Sequence, residues 1–65
     1  MFITVENHII SINEIRNIEL CDIGYGKANI CIHFRNTEDT VVFSHRSKAD
    51  AAEIFKILAE ACANY

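Results

Sequence analysis

The chain has no proline and only two glycines among its 65 residues. It also has no internal repeat and no low-complexity tract, so nothing in it marks a linker between separate parts. A single domain covering residues 1–65 is therefore expected. A domain of this length buries only about 60% of the surface of its unfolded chain, which makes its stability marginal.

Positive charge is scarce. Six lysine and arginine residues stand against nine aspartate and glutamate residues, and the net charge is −3. Nucleic-acid binding draws most of its affinity from phosphate neutralisation by lysine and arginine. The composition therefore disfavours nucleic acid as a partner, although it leaves a local basic patch possible.

Long apolar runs are missing as well. No stretch approaches the roughly 18 residues that cross a bilayer, so no membrane association is expected. The start "MFITVEN" contains Glu6 and lacks the basic segment and apolar core of a signal peptide. Three cysteines, an odd number, argue against a disulfide framework. A cytoplasmic location with free thiols is predicted.

Alternating apolar residues predict strands in the first two thirds of the chain. In "ANICIHFR", Ile30, Ile32 and Phe34 alternate with more polar residues, which indicates a sheet with one buried face. The two glycines flank Tyr25, and this "GYG" predicts a hairpin turn. Four further segments have strand character: "FITV", "IISI", "IRNIELCDI" and "TVVFSH".

The last third changes to helical periodicity. Ser47 precedes Asp50 by three residues, as in a capping box with aspartate in place of glutamate. One apolar stripe follows at helical spacing. The sequence predicts an α+β fold: an antiparallel meander of four to five strands over about residues 2–45, with one helix over about 48–63 packed on one face. The stripe comprises Ala51, Ile54, Phe55, Leu58, Ala61, Cys62 and Tyr65.

A thiol and an imidazole stand two positions apart in "CIHF", so that Cys31 and His33 share one face of their strand. A three-residue loop at "GYG" would bring Glu19 or Cys21 beside them, as a zinc site requires. Structural zinc sites usually show short paired spacings, whereas nine residues separate the two cysteines. We therefore expect an ordinary amphipathic strand, no metal site and no cofactor, with metal binding by these side chains left open.

Catalytic residues are not evident. His33, Ser44 and His45 could be written as a triad with Glu38 or Asp39, but a chain this short has little volume for a substrate cleft. "GYG" lacks the third glycine and the following helix of a dinucleotide-binding motif. The chain is predicted not to be an enzyme.

Apolar residues make up 51% of the chain, more than one helix laid over a sheet can cover. The sequence places Phe2, Ile9, Cys21, Ile23, Cys31, His33 and Val42 on the outer face of the sheet. We expect a protein-interaction module that pairs with a second copy or another protein, through this face or an edge strand. The candidate interaction residues are Phe2, Ile23, Tyr25, Cys31, His33, Arg35, Val42 and Arg46.

A second hypothesis uses the positive charges of "SHRSK", residues 44–48. Arg46 and Lys48, together with Arg35 and either Tyr25 or His33, would bind nucleic acid or another anion. The free amides at the start of the following helix would assist such binding. A solvated connection between strand and helix is the simpler interpretation of the same segment.

The spacing of Ile10, Ile12, Ile15 and Ile18, followed by a hairpin, two strands and an alanine-rich helix, resembles small single-domain proteins of bacteria and phages. The resemblance is one of apolar pattern over most of the chain and carries no functional motif. It implies a bacterial or phage cytoplasmic protein with an adaptor-like role, and it assigns a role to no residue.

Overall fold

The computed structural model describes residues 1–64, and Tyr65, predicted to continue the apolar stripe of the helix, lies outside them. The elements are strands β1 (Phe2–Val5) and β2 (His8–Ser11), a 3₁₀ turn (Ile12–Glu14), strands β3 (Ile15–Gly24), β4 (Lys27–Phe34) and β5 (Thr40–Ser47), and helix α1 (Lys48–Ala63). The α+β class is confirmed, and the helix bounds match those expected from the sequence.

Strands β3, β4 and β5 form an antiparallel sheet with β4 in the centre. Ile32 stands opposite Ile18 on β3 and Val41 on β5, while Ile30 stands opposite Leu20 and Phe43. Ile30, Ile32 and Phe43 are almost completely buried. The alternation in "ANICIHFR" therefore marks the inner face of the sheet, as predicted.

The expected meander of four to five strands in one sheet is wrong. Strands β1 and β2 pair only with each other, in a separate two-stranded hairpin. The 3₁₀ turn lies between β2 and β3, where Ile12 is buried and its amide donates to the carbonyl of Met1 at the open end of the hairpin. The backbone carbonyl of Glu14 accepts from the amide of Arg35, so β3 leaves the turn beside the end of β4 and away from β2.

Helix α1 begins as the sequence indicated. The Ser47 hydroxyl accepts a hydrogen bond from the amide of Asp50 at 3.2 Å, which satisfies one of the open donors of the first turn. Ala51, Ile54 and Leu58 are buried against the sheet. The opposite side of the helix is exposed, and it comprises Glu53, Lys56, Glu60 and Asn64.

The β1–β2 hairpin shares the core of the sheet and helix. Val5 and Ile10 belong to the same buried cluster as Phe43. The His8 ring meets the Phe43 ring edge-on, with centroids 5.2 Å apart. The hairpin and the helix therefore cover the inner face of the sheet together, and neither covers the opposite face.

The "GYG" segment is a hairpin turn, as predicted, but its loop has two residues, because Gly24 pairs with Lys27. Tyr25 and Gly26 have φ values of +53° and +71°. Two successive positive φ values match the right-handed twist of the flanking strands, as in a type I′ turn. A register shift between Asp22 and Gly24 leaves Ile23 as an extra residue at this end of β3.

Candidate protein-interaction site

The site is the face of the three-stranded sheet that points away from the helix, here named the outer face. Its residues follow from the register. Cys31 in the centre stands opposite Glu19 on β3 and Val42 on β5, and His33 stands opposite Asn17 and Thr40. Cys21 and Asn29 form the next row towards the GYG turn. The outer face comprises Asn17, Glu19, Cys21, Asn29, Cys31, His33, Thr40 and Val42.

The centre of the outer face is apolar and in contact with solvent. The Val42 side chain is 47% exposed, although valine normally favours burial. Cys21 and Cys31 are half-buried by their neighbours on the sheet. The sequence correctly predicted that Cys31, His33 and Val42 share this face.

Polar side chains border the centre on one side. The Nε2 atom of His33 lies 2.8 Å from a carboxylate oxygen of Glu19, and its Nδ1 atom lies 3.4 Å from the Thr40 hydroxyl. The Asn17 amide donates to the same Glu19 oxygen at 3.4 Å. The outer face therefore carries a carboxylate and an imidazole beside an apolar centre.

Cys21 and Cys31 form a thiol pair across β3 and β4. Since Cys31 is opposite Glu19 and Cys21 is opposite Asn29, the cysteines are diagonal neighbours on one face. Burial raises the pKa of the Cys31 thiol, and the charges of Cys21 and Glu19 and a hydrogen bond with Cys21 raise it further. Negative charge is thus unfavourable at Cys31.

The two cysteines remain free thiols in this arrangement. Among residues 1–64, no three histidine, cysteine, aspartate or glutamate side chains are grouped so that they could hold a metal ion together. The sequence left open a zinc cluster of Cys21, Cys31, His33 and Glu19. These residues lie on one face, but within a single chain their side chains do not converge on one point.

Other predicted interaction residues lie elsewhere. Phe2 and Ile9, expected on the outer sheet face, belong to the separate hairpin, where they are 72% and 74% exposed. Ile23 and Tyr25 lie at the turn end of β3, and Tyr25 is fully exposed at the tip. Arg35 follows the opposite end of β4, where its Nε donates to the carbonyl of Ile15.

The positive charges of residues 44–48 are paired with carboxylates. Arg46 donates through two nitrogens to the carboxylate of Glu6, at 3.0 and 2.6 Å. The Nζ atom of Lys48 lies 2.9 Å from a carboxylate oxygen of Asp22. Glu6 accordingly raises the pKa of Arg46. Both contacts reduce the positive potential available to an anion.

Sequence reasoning missed both carboxylate partners. Glu6 is 40 residues from Arg46, and no local pattern connects the two. Asp22 meets Lys48 because the amide of Lys48 donates to the carbonyl of Gly26, which brings the helix start to the GYG turn. Both pairings depend on tertiary structure alone.

Two shallow cavities lie along the helix, away from the outer face. One, of 280 Å³, is lined by Ile12, Asn13, Ile15, Arg35 and Cys62. The other, of 330 Å³, is lined by Leu20, Asp22, Ala28, Lys48 and Ala52. Both volumes are at or below the lower end of the range for small-molecule sites. Neither lining brings a thiol or hydroxyl nucleophile together with a histidine or carboxylate base.

No family model, curated protein or solved structure matches the chain. The resemblance to small bacterial and phage proteins therefore remains a prediction. Within residues 1–64, no helix has the length and apolar character needed to cross a membrane.

Proposed function

We propose that the chain is a non-enzymatic protein-interaction module that forms a homodimer through the outer face. The observation that carries the proposal is the exposed apolar centre of that face. Helix α1 and the β1–β2 hairpin both contribute to the core on the inner side, and Val42 remains 47% exposed with Cys31 beside it. An apolar centre with a polar border is the usual anatomy of a protein interface.

A second copy is the partner that the charges favour. Glu19 and His33 put a carboxylate and an imidazole side by side on the same face. A two-fold axis sets residue i of one copy against residue j of the other, so the Glu19 carboxylate of one copy can meet the His33 imidazole of the second copy without like-charge contact. A strongly basic or strongly acidic partner protein would not find matching charges on this face.

The outer face is favoured over the edge strands of the sheet as the dimer interface. β5 contains a register irregularity near His45, whose φ is +57°, and β3 is irregular beside Ile23 and near Ile15. Bulges of this kind bend an edge strand and hinder the addition of another strand. The central part of the outer face is regular from His33 to Ile30.

The size of the face predicts a weak dimer. Strands about 4.8 Å apart with a rise of about 3.3 Å per residue give three strands that overlap over about eight residues a footprint on the order of 400 Å². Stable complexes bury about 800 Å² per partner. We therefore expect dissociation in the micromolar range for the protein without further stabilisation.

The proposal assigns the module to a reducing cytoplasm, because all three cysteines are free thiols. Sedimentation velocity over a concentration series, in reducing buffer, tests the dimer. A sedimentation coefficient that rises with concentration towards that of two chains is expected. A single species of one chain at about 100 μM, well above a micromolar dissociation constant, contradicts the proposal.

Anion binding by Arg35, Arg46 and Lys48 has weaker support, because the latter two are paired with Glu6 and Asp22 and Arg35 lies at the other end of the sheet. Salt-dependent binding of an oligonucleotide would favour that alternative.

A further inference from the structure

We infer that Cys21 and Cys31 form half of a zinc site that a second copy of the chain completes, so that four thiolates from two outer faces hold one ion. The inference rests on the proposed function, because it needs the two outer faces to meet. A bound zinc ion would stabilise a dimer interface that is otherwise small in area.

The register makes the two cysteines diagonal neighbours, a typical spacing of which suits a metal pair better than a disulfide. Diagonal neighbours on antiparallel strands ordinarily have Cα atoms about 7–8 Å apart. A disulfide needs Cα atoms closer than about 7 Å. Two sulfurs on a tetrahedral zinc with bonds of about 2.3 Å are about 3.8 Å apart, which side chains converging from that spacing reach.

Position on the face supports sharing between copies. Cys31 is on the central strand between Glu19 and Val42, so a two-fold axis through the middle of the face passes near the thiol pair. A tetrahedral ion on such an axis takes two ligands from each side. Within residues 1–64 one chain has no group of three possible ligands, so the second copy must supply the other half of the site.

The surroundings of the pair also suit a cation, because the Glu19 carboxylate stands opposite Cys31 on the same face. Each thiol releases its proton on binding, so zinc affinity should increase with pH.

The test is addition of zinc alone to the metal-free protein in a thiol-free reducing buffer. We expect one zinc per two chains and a dimer dissociation constant lowered at least about tenfold. Cobalt in place of zinc should give the visible absorption of a tetrahedral tetrathiolate site. Cys21→Ser and Cys31→Ser should each abolish these effects, whereas Cys62→Ser, away from the outer face on the helix, should leave them unchanged.

Different failures separate the two proposals. A dimer whose affinity is the same with and without zinc, and in both serine variants, overturns the zinc site and leaves the homodimer standing. One zinc per chain overturns the shared site. A protein that stays monomeric with and without zinc overturns both. Thermal unfolding of each variant shows whether it is folded. If a serine variant is unfolded, zinc titration of the unchanged chain at low and high pH takes its place in the test.

Discussion

Glu6 and Arg46 join the tip of the β1–β2 hairpin to the end of β5 through two hydrogen bonds between one carboxylate and one guanidinium. Arg46 also donates to the carbonyl of Ser44, and its guanidinium lies 6.0 Å from the centre of the Phe43 ring. Glu6 holds this position with a φ of +54°, a conformation that non-glycine residues seldom adopt. The ion pair thus fixes the hairpin against a sheet with which it shares no backbone ladder.

The Glu6 carboxylate should make stability depend on pH. Its hydrogen bond with Arg46 lowers the pKa of Glu6 from the ordinary value of 4.5. Between the lower folded value and 4.5 the unfolded chain binds more protons, so the free energy of unfolding rises with pH there. The contribution is complete above that window and is lost as the pH falls through the folded pKa.

Glu6→Gln should remove this contribution and flatten the acid part of the stability curve. Urea unfolding at about pH 3 and about pH 6 measures the slope, and the difference from the unchanged chain should shrink in high salt because the pair is exposed. Glu53→Gln, on the exposed side of the helix, is the control. An equal effect of both substitutions would show that the ion pair contributes nothing specific.

Val42→Lys should prevent dimer formation without unfolding the chain. The charge would enter the dry centre of the proposed interface, which should weaken self-association at least about tenfold. Ile57→Lys is the matched control, because Ile57 is a similarly exposed apolar residue on the helix, at 39% against 47%. Sedimentation velocity gives the comparison. Association that survives Val42→Lys and fails in Ile57→Lys would move the interface to the helix.

Tyr25→Asn should stabilise the chain. Tyrosine at a φ of +53° is strained, whereas asparagine before glycine is the preferred pair for a type I′ turn. An increase of about 0.5–1 kcal/mol in the free energy of unfolding is expected from urea denaturation. Unchanged stability would mean that the tyrosine ring compensates the strain. Weaker association in a more stable variant would identify Tyr25 as a contact residue.

Ser47→Ala should lower the free energy of unfolding by about 1 kcal/mol, because it leaves the amide of Asp50 without its capping acceptor. Ser44→Ala is a suitable control: Ser44 is exposed on β5, and its carbonyl still accepts from Arg46 after the substitution. Urea unfolding of the two variants should give clearly different midpoints. Equal midpoints would show that the Ser47 cap does not stabilise the helix.

Leu58→Ala should leave the chain largely unfolded. Leu58 is completely buried between helix and sheet, and such truncations cost about 2–5 kcal/mol. That is comparable with the whole stability of a small domain. Circular dichroism at room temperature reports the loss. Ala59→Gly, on the exposed side of the same turn, should cost only about 1 kcal/mol.

The helix and the three-stranded sheet could be predicted because their signals are local. Ser47 with Asp50 marks the helix start, and Ile30, Ile32 and Phe34 keep one period through β4. From this period follows the shared face of Cys31 and His33. The GYG turn led us to expect Glu19 or Cys21 near them, and pairing with β3 places both on that face, with Glu19 directly opposite Cys31.

The separate hairpin was missed because its signal is a small change of period. Ile10 and Ile12 are two residues apart, as in a strand, but Ile12, which begins the 3₁₀ turn, and Ile15, which begins β3, are three apart. The three-residue spacing from Ile15 to Ile18 accompanies a register shift within β3. We interpreted the whole run as extended structure with a brief break. That interpretation put Phe2 and Ile9 on the wrong sheet.

Every strand pairing in the fold joins consecutive strands, and the helix is the last element of the described chain. Short loop closures of this kind cost little entropy, so the hairpins can form early and quickly. During synthesis, however, Ile30, Ile32 and Phe43 emerge from the ribosome before the helix that covers them. The inner face of the sheet therefore stays exposed to solvent until residues 48–63 have also emerged and packed against it.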